Sequence, residues 1–460
     1  MFSKFKLPLL LVGVLASAPR SAQANGRFPE SNQVVFDPLD PRHVLVRTTF
    51  GLLESRDGAS SFSWMCEKAF DVSGEADPML TLTASGAQVI ATYSGIWQSS
   101  DGCSYRAPPE LAGQIVPDLA LDPSNPRRLL AFRTRSLGSG MFESALVRSE
   151  DEGQSWVSLE PALPSELLPL SVDFAASDAQ RVYLSARSSA KEDYVSVLLR
   201  SLDGGQSFER LAIPGTEQQK LAFIAGVDPI DADRVFVRVD DALGTRVLVS
   251  SDAGQSFSEL FRASARLPGF AIAKDGSELA LGGPNDGLWV GALDGAGLEQ
   301  RSTVAPSCLG YGADGLYACS DATQLGSLLL RSRDGGATFE TLVRFDSLCG
   351  TTACGATTEA ARTCRADWEA IAPTLGTTCG TTTAPDAPSG SADSFRASGG
   401  GCALTARSAT TRNGLVWLAL VALLRRFRTG RRYSPQLVRS RRLERTLALE
   451  ELEAPDYAVK

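Results

Sequence analysis

One eight-residue pattern recurs through most of this chain, and it limits the possible folds more than any other feature. It is clearest at 149–156 (SEDEGQSW), 201–208 (SLDGGQSF), 250–257 (SSDAGQSF) and 332–339 (SRDGGATF). Looser copies occupy 55–62, with Ala59 where glycine is expected, and 99–105, one residue short. A worn seventh copy lies at 293–297. The key aspartates are Asp57, Asp101, Asp151, Asp203, Asp252, Asp294 and Asp334, at spacings of 44, 50, 52, 49, 42 and 40 residues. A period near 45 is the size of one four-stranded propeller blade.

The pattern has a local physical reason. Apolar runs lead into each copy, as in VLLR before Ser201 and SLLLR before Ser332, and an aromatic residue restarts the chain afterwards. That is the signature of a hairpin. The aspartate accepts backbone N–H bonds within the turn, glycine supplies the positive φ, and the aromatic ring anchors the turn on its blade. A second marker sits upstream: Asp37-Pro38, Asp122-Pro123 and Asp228-Pro229 each precede a short apolar strand. Proline cannot continue a central ladder, so these mark the turn between a blade's first and second strands.

The turn Ser-x-Asp-x-Gly-x-Ser/Thr-aromatic resembles the Asp-box, or BNR, repeat of sialidase-like and sortilin-like propellers. The companion Asp-Pro turn looks like that of xyloglucanases and of the photosystem II assembly factor. The resemblance covers residues 30–345. It implies an all-β fold, a seven-bladed β-propeller of four-stranded antiparallel blades. It also implies that Asp57, Asp101, Asp151, Asp203, Asp252 and Asp334 are structural, on outer turns away from the central channel.

Charge and composition narrow the function. Net charge is −8 overall, but residues 1–24 carry +3 and 403–460 carry +7, so the body between them holds −18. An acidic body without a basic stripe argues against nucleic acid as a partner. A single histidine, His43, leaves little scope for imidazole-based catalysis or zinc. It is expected on the surface beside a Pro-Arg turn. No phosphate-binding loop is present, and no cofactor is expected. A monomer is expected.

The chain ends read as processing signals. Residues 1–24 carry Lys4 and Lys6, an apolar stretch from Leu7 to Ala18, and Ala22-Gln23-Ala24 as a small-x-small cleavage site, the order of a secretory signal. Residues 381–401 have linker composition. Segment 402–432 then brings Gly401-Cys402, an apolar run at 415–424 and an arginine cluster at 425–428. That order resembles the C-terminal sorting segment of myxobacterial surface proteins (MYXO-CTERM), which implies processing at Cys402 and outer-membrane or cell-surface retention. The apolar run, expected as a short C-terminal helix, is ten residues long, and a charged tail, 433–460, follows it.

Nine cysteines suit an oxidising destination. Cys308 and Cys319 lie symmetrically about Ala313-Asp314 and face each other across a hairpin, within disulfide reach. Cys66 and Cys103 occupy corresponding regions of adjacent repeats and are the next expected pair. Cys349, Cys354, Cys364 and Cys379 then form a disulfide-rich segment, 346–380, with three possible connectivities. It is expected to cover the end of the last blade or to pin the chain before the linker.

Three functions fit this outline: a non-catalytic recognition or scaffold propeller for a glycan or an exported protein, a glycoside hydrolase, and an assembly factor for another exported protein. A sialidase would need an Arg-Ile-Pro motif, and the first blade offers Arg47-Thr48-Thr49-Phe50 instead. A xyloglucanase-like enzyme would need two facing carboxylates as acid and base. Asp118 and Asp173, on expected first strands, are the candidates.

Overall fold

The computed structural model describes residues 30–377, apart from 73–76, 140, 189–194, 218–219, 242 and 321–325. The signal-like residues 1–24, Cys379, the linker 381–401, Cys402 with the expected tail helix, and the tail 433–460 lie outside the described residues.

Seven antiparallel sheets follow one another along the chain, spanning 31–65, 79–99, 119–158, 167–212, 221–263, 269–302 and 308–343. They are blades 1 to 7. Each is a meander in sequence order, and the first strand of every blade neighbours the first strands of the blades on either side. Blade 1 meets blade 7, so the ring closes into a propeller with the first strands around the channel. Six sheets have four strands. Blade 2 has three, its fourth reduced to a bridge between Gln98 and Arg106, where the turn is one residue short.

Burial follows from this stacking. Middle strands such as Val44–Thr48 and Gln88–Thr92 are buried on both faces, because a neighbouring sheet covers each side. Fourth strands such as Glu299–Ser302 are largely exposed. The apolar clusters lie between sheets: Phe132 of blade 3 shares one with Val172 and Phe174 of blade 4, and Leu198 of blade 4 shares another with Val237 of blade 5.

The aspartate turns join the third and fourth strands of the four-stranded blades, on the side of each blade away from the channel. At Asp203, Oδ1 accepts from Ser201 Oγ (2.7 Å) and the Ser207 N–H (2.8 Å), while Oδ2 accepts from Ser207 Oγ (2.6 Å). The same set recurs at Asp57, Asp151, Asp252 and Asp334. Asp101 keeps it in shortened form, and Asp294 lies in the corresponding turn with one N–H bond, from Ala296. These hydroxyl and N–H donors hold the Asp57, Asp252 and Asp334 carboxyls down at about 2. A Cβ on Gly205 would sit 2.5 Å from Leu146 of the preceding blade, and one on Gly254 2.5 Å from Leu198. The glycine thus lets each turn close onto its neighbour, which explains why the repeat spaces the blades.

Among the described residues, no strand is exchanged between the first and last blades. At the seam, Ser31 Oγ donates to the Leu328 carbonyl, Ser307 Oγ donates to the Ser31 carbonyl (2.5 Å), and Phe36 meets Tyr317 edge-on. The segment after blade 7 then crosses onto blade 1. The Trp64 N–H donates to Gly350 O (3.0 Å), the Thr352 N–H donates to Trp64 O (2.8 Å), and the 351 region runs parallel to the outer edge of blade 1. A helix, Glu359–Leu375, follows, capped by Thr358 and ended by Gly376. Its Trp368 packs on Trp64.

The cysteines correct one expected pairing. Cys308–Cys319 forms as expected. Cys66 and Cys103 do not pair with each other: Cys66 bonds Cys364, and Cys103 bonds Cys354. The segment 346–380 is therefore stapled to blades 1 and 2 through Cys364 and Cys354. Cys349 is disulfide-bonded too. Disulfides on this scale belong to a protein that folds in an oxidising compartment, as exported proteins do. Among the described residues, no helix is long and apolar enough to cross a membrane.

His43 is also placed differently from expectation. It is 2% exposed, enclosed between blades 1 and 2. The Pro-Arg turn is at the surface, but the next residue turns inward against its own Asp37.

Candidate functional site

In an antiparallel meander, the turn between second and third strands lies at the end where the first strand begins. That face of the propeller also receives the links between blades. The opposite face carries the Asp-Pro and Ser-x-Asp turns.

Asp118 immediately precedes the first strand of blade 3, Leu119–Leu121, and Asp173 lies in the first strand of blade 4, Leu167–Ala175. The structure brings them together. Asp118 is buried, and its Oδ2 accepts the N–H of Val172, the residue next to Asp173, at 2.9 Å. Asp173 is partly exposed, and its Oδ1 accepts the Phe174 N–H at 2.8 Å. Burial pushes both carboxyls up to about 7. For Asp118, N–H bonds from Val172 and Leu119 pull the other way, the charge of Asp173 adds to the rise, and Arg47 of blade 1 offsets part of it. Arg47 itself donates to Asn32 Oδ1 (2.6 Å) and Pro78 O (2.5 Å).

A carboxyl near 7 is half protonated at neutral pH, the state a general acid needs. A two-carboxylate glycosidase also needs both groups open to the sugar. Here Asp173 is only partly exposed, while Asp118 is occupied with tying blade 4's inner strand to blade 3.

The face with the second-to-third-strand hairpins carries features that the repeat did not signal. Tyr93, Leu137 and Leu243 stand at the tips of second-to-third-strand hairpins in blades 2, 3 and 5, 47%, 54% and 86% exposed. Met141, also exposed, pairs with Gly138 across the hairpin of blade 3. A depression of about 260 Å³ is lined by Asp71, Asp77, Thr92, Tyr93, Ser94 and Pro117 among others. The available sequence signal was an apolar residue just before a hairpin glycine, as in Leu137-Gly138 and Leu243-Gly244. Among the described residues, no group of three or more His, Cys, Asp or Glu is arranged to hold a metal ion.

No family model matches the chain, and no curated protein matches it. Solved structures do. An ancestral GH74 enzyme is similar at 16% identity and TM-score 0.52, over 68% of this chain and 46% of that one. A GH74 enzyme of Niastella koreensis has 12% identity and TM-score 0.40, over 68% and 65% of the two chains. Hydrazine synthase of Kuenenia stuttgartiensis has 12% identity and TM-score 0.46, over 68% and 98%. The chain spans about half the length of the first of these. At such identities the likeness is one of fold, and with the sheet order it defines the class: a seven-bladed β-propeller.

Proposed function

We propose that this chain is an exported, cell-surface β-propeller that recognises a glycan or an exported protein without catalysis. One observation supports the reading: of the two candidate carboxyls, Asp118 is buried and accepts backbone N–H bonds, so these two do not form an open acid–base pair. The exposed hairpin tips at Tyr93, Leu137 and Leu243 supply recognition surface, since apolar side chains there contribute nothing to the core. Surface display rests on the Gly-Cys, apolar and arginine order at 401–428.

A second reading, a glycoside hydrolase, draws on the two carboxyls raised to about 7 beside each other, with Asp173 as the acid. One experiment separates the two. The purified protein is incubated with a polysaccharide array, and both retention and release of reducing ends are scored. Retention without release supports recognition. Release that disappears in Asp173→Asn or Asp118→Asn overturns it in favour of the hydrolase.

A further inference from the structure

The Asp-Pro turns of blades 1, 3 and 5 share an internal design. In each, the aspartate is buried and accepts N–H bonds from the turn: Leu39 and Asp40 to Asp37, Ser124 and Asn125 to Asp122, and Ile230 to Asp228. In each, the other carboxylate oxygen meets the side chain six positions on. In blade 3 that is Arg128, at 3.3 Å from Asp122, and in blade 5 it is Arg234, at 2.9 Å from Asp228. Arginine keeps its charge at any pH a protein survives. In blade 1 the same place is held by His43, with Nδ1 at 3.0 Å from Asp37 Oδ2.

The other ring nitrogen is also engaged. His43 Nε2 lies 3.0 Å from Glu54 Oε1. Burial alone would raise Glu54, but its bonds to His43 and Arg56 outweigh that and hold it below the ordinary carboxylate range, so it is an acceptor. A neutral imidazole has one N–H and can donate to one carboxylate only; the ring donates to both only when it carries both protons. The site belongs to two blades. Gln88 of blade 2 donates to Glu54 (3.2 Å), and Tyr105 donates to Gln88 (2.5 Å). A Cβ on Gly86 of blade 2 would lie 2.9 Å from Asp37 Oδ2 and 3.3 Å from His43 Nδ1. The charged and titratable groups around the ring are Asp37, Asp40 and Arg42 from the turn, Glu54 and Arg56 from the third strand of blade 1, and Asp101 and Tyr105 from blade 2. At 2% exposure, no bulk water replaces a lost proton's hydrogen bond.

We propose that His43 makes the joint between blades 1 and 2 proton-dependent: the doubly protonated ring clamps Asp37 to Glu54, and loss of one proton opens one side of the clamp. The sign follows from the geometry. Only the doubly protonated ring can donate to Asp37 and Glu54 at once, so the second bond is present at acidic pH and lost as pH rises.

Because His43 is the sole histidine of the chain, its signals are unambiguous. The full-length protein, 15N-labelled in histidine, is observed by NMR from about pH 5 to about pH 9, the range over which imidazoles titrate. Two ring N–H signals are expected at the acidic end and one at the alkaline end. In parallel, urea unfolding of wild type, His43→Arg and His43→Gln is followed over the same range. Relative to either variant, the wild-type unfolding constant should rise with pH and level off once the second N–H signal has vanished. Asp118 and Asp173 titrate alike in all three proteins and cancel in that difference. Unfolding profiles that stay parallel, or a single ring N–H at every pH, overturn the proposal. Should neither variant fold, the wild-type ring signals decide alone.

Discussion

The seam between blades 7 and 1 is held by a few hydrogen bonds and by the segment that Cys364 and Cys354 fasten to blades 1 and 2. Removing Cys66–Cys364 and Cys103–Cys354 together, by serine substitution at all four positions, measures how much of the ring depends on them. The Cys66–Cys364 bond spans 298 residues, and closing a loop of that length costs the unfolded chain about 5–6 kcal/mol in chain entropy. With that bond in place, Cys103–Cys354 closes a smaller ring of roughly 50 residues, made of 66–103 and 354–364, adding about 4 kcal/mol. Cys308–Cys319 spans only 11, is worth about 3 kcal/mol by the same relation, and serves as the control. The assay is urea unfolding of the purified single-pair and double-pair variants. The midpoints should fall in the order control, then either long-range pair alone, then both pairs, because while one long-range bond is intact the other closes only the ring of roughly 50 residues. The urea slope should rise in the double-pair variant, because its unfolded chain is freed to expand. A double-pair variant that loses less than about 1 kcal/mol, or less than the control, would refute the argument and show that the inner strands close the ring unaided.

Asp118→Asn tests the channel carboxyl. The folded group sits near 7, above its unfolded value, so its stabilising effect is complete below about pH 4 and disappears as pH rises through 7. The variant should lack that part of the pH dependence and gain up to about 4 kcal/mol over wild type at pH 8, measured by denaturant titration at several pH values. Asp203→Ala should cost roughly 1–3 kcal/mol, through the turn N–H and hydroxyl groups left without an acceptor, and leave ligand retention by the folded fraction intact. Loss of retention at unchanged stability would place that turn in the binding surface.

The parts of the fold that were legible are those whose chemistry is local. Asp203 and its relatives bind residues at most four positions away, so eight letters specify the turn and seven such turns give the number of blades. Cys308 and Cys319 face each other because one hairpin sets their register. The short copy at 99–105 lies where blade 2 keeps only three strands, although four were expected there. What stayed hidden depends on which elements meet when the ring closes. Corresponding positions in adjacent blades suggested joining Cys66 to Cys103, yet each faces a segment that arrives only after the seventh blade. His43 looks like a surface residue in its own stretch of chain, and blade 2 buries it. Asp118 and Asp173 were readable as first-strand carboxylates, but their adjacency comes from the stacking of blades 3 and 4.

The route of the chain also has a consequence for how the protein is made. Synthesis runs from the amino terminus, so the thiols of Cys66 and Cys103 emerge 298 and 251 residues ahead of their native partners. Through that interval they are nearer along the chain to each other than to Cys354 or Cys364. Joining them early is the kinetically convenient error, and a ring sealed that way has no place to fasten its last segment. Correct maturation therefore depends either on blades 1 and 2 folding fast enough to hold the two thiols apart, or on an isomerase that reopens the premature bond.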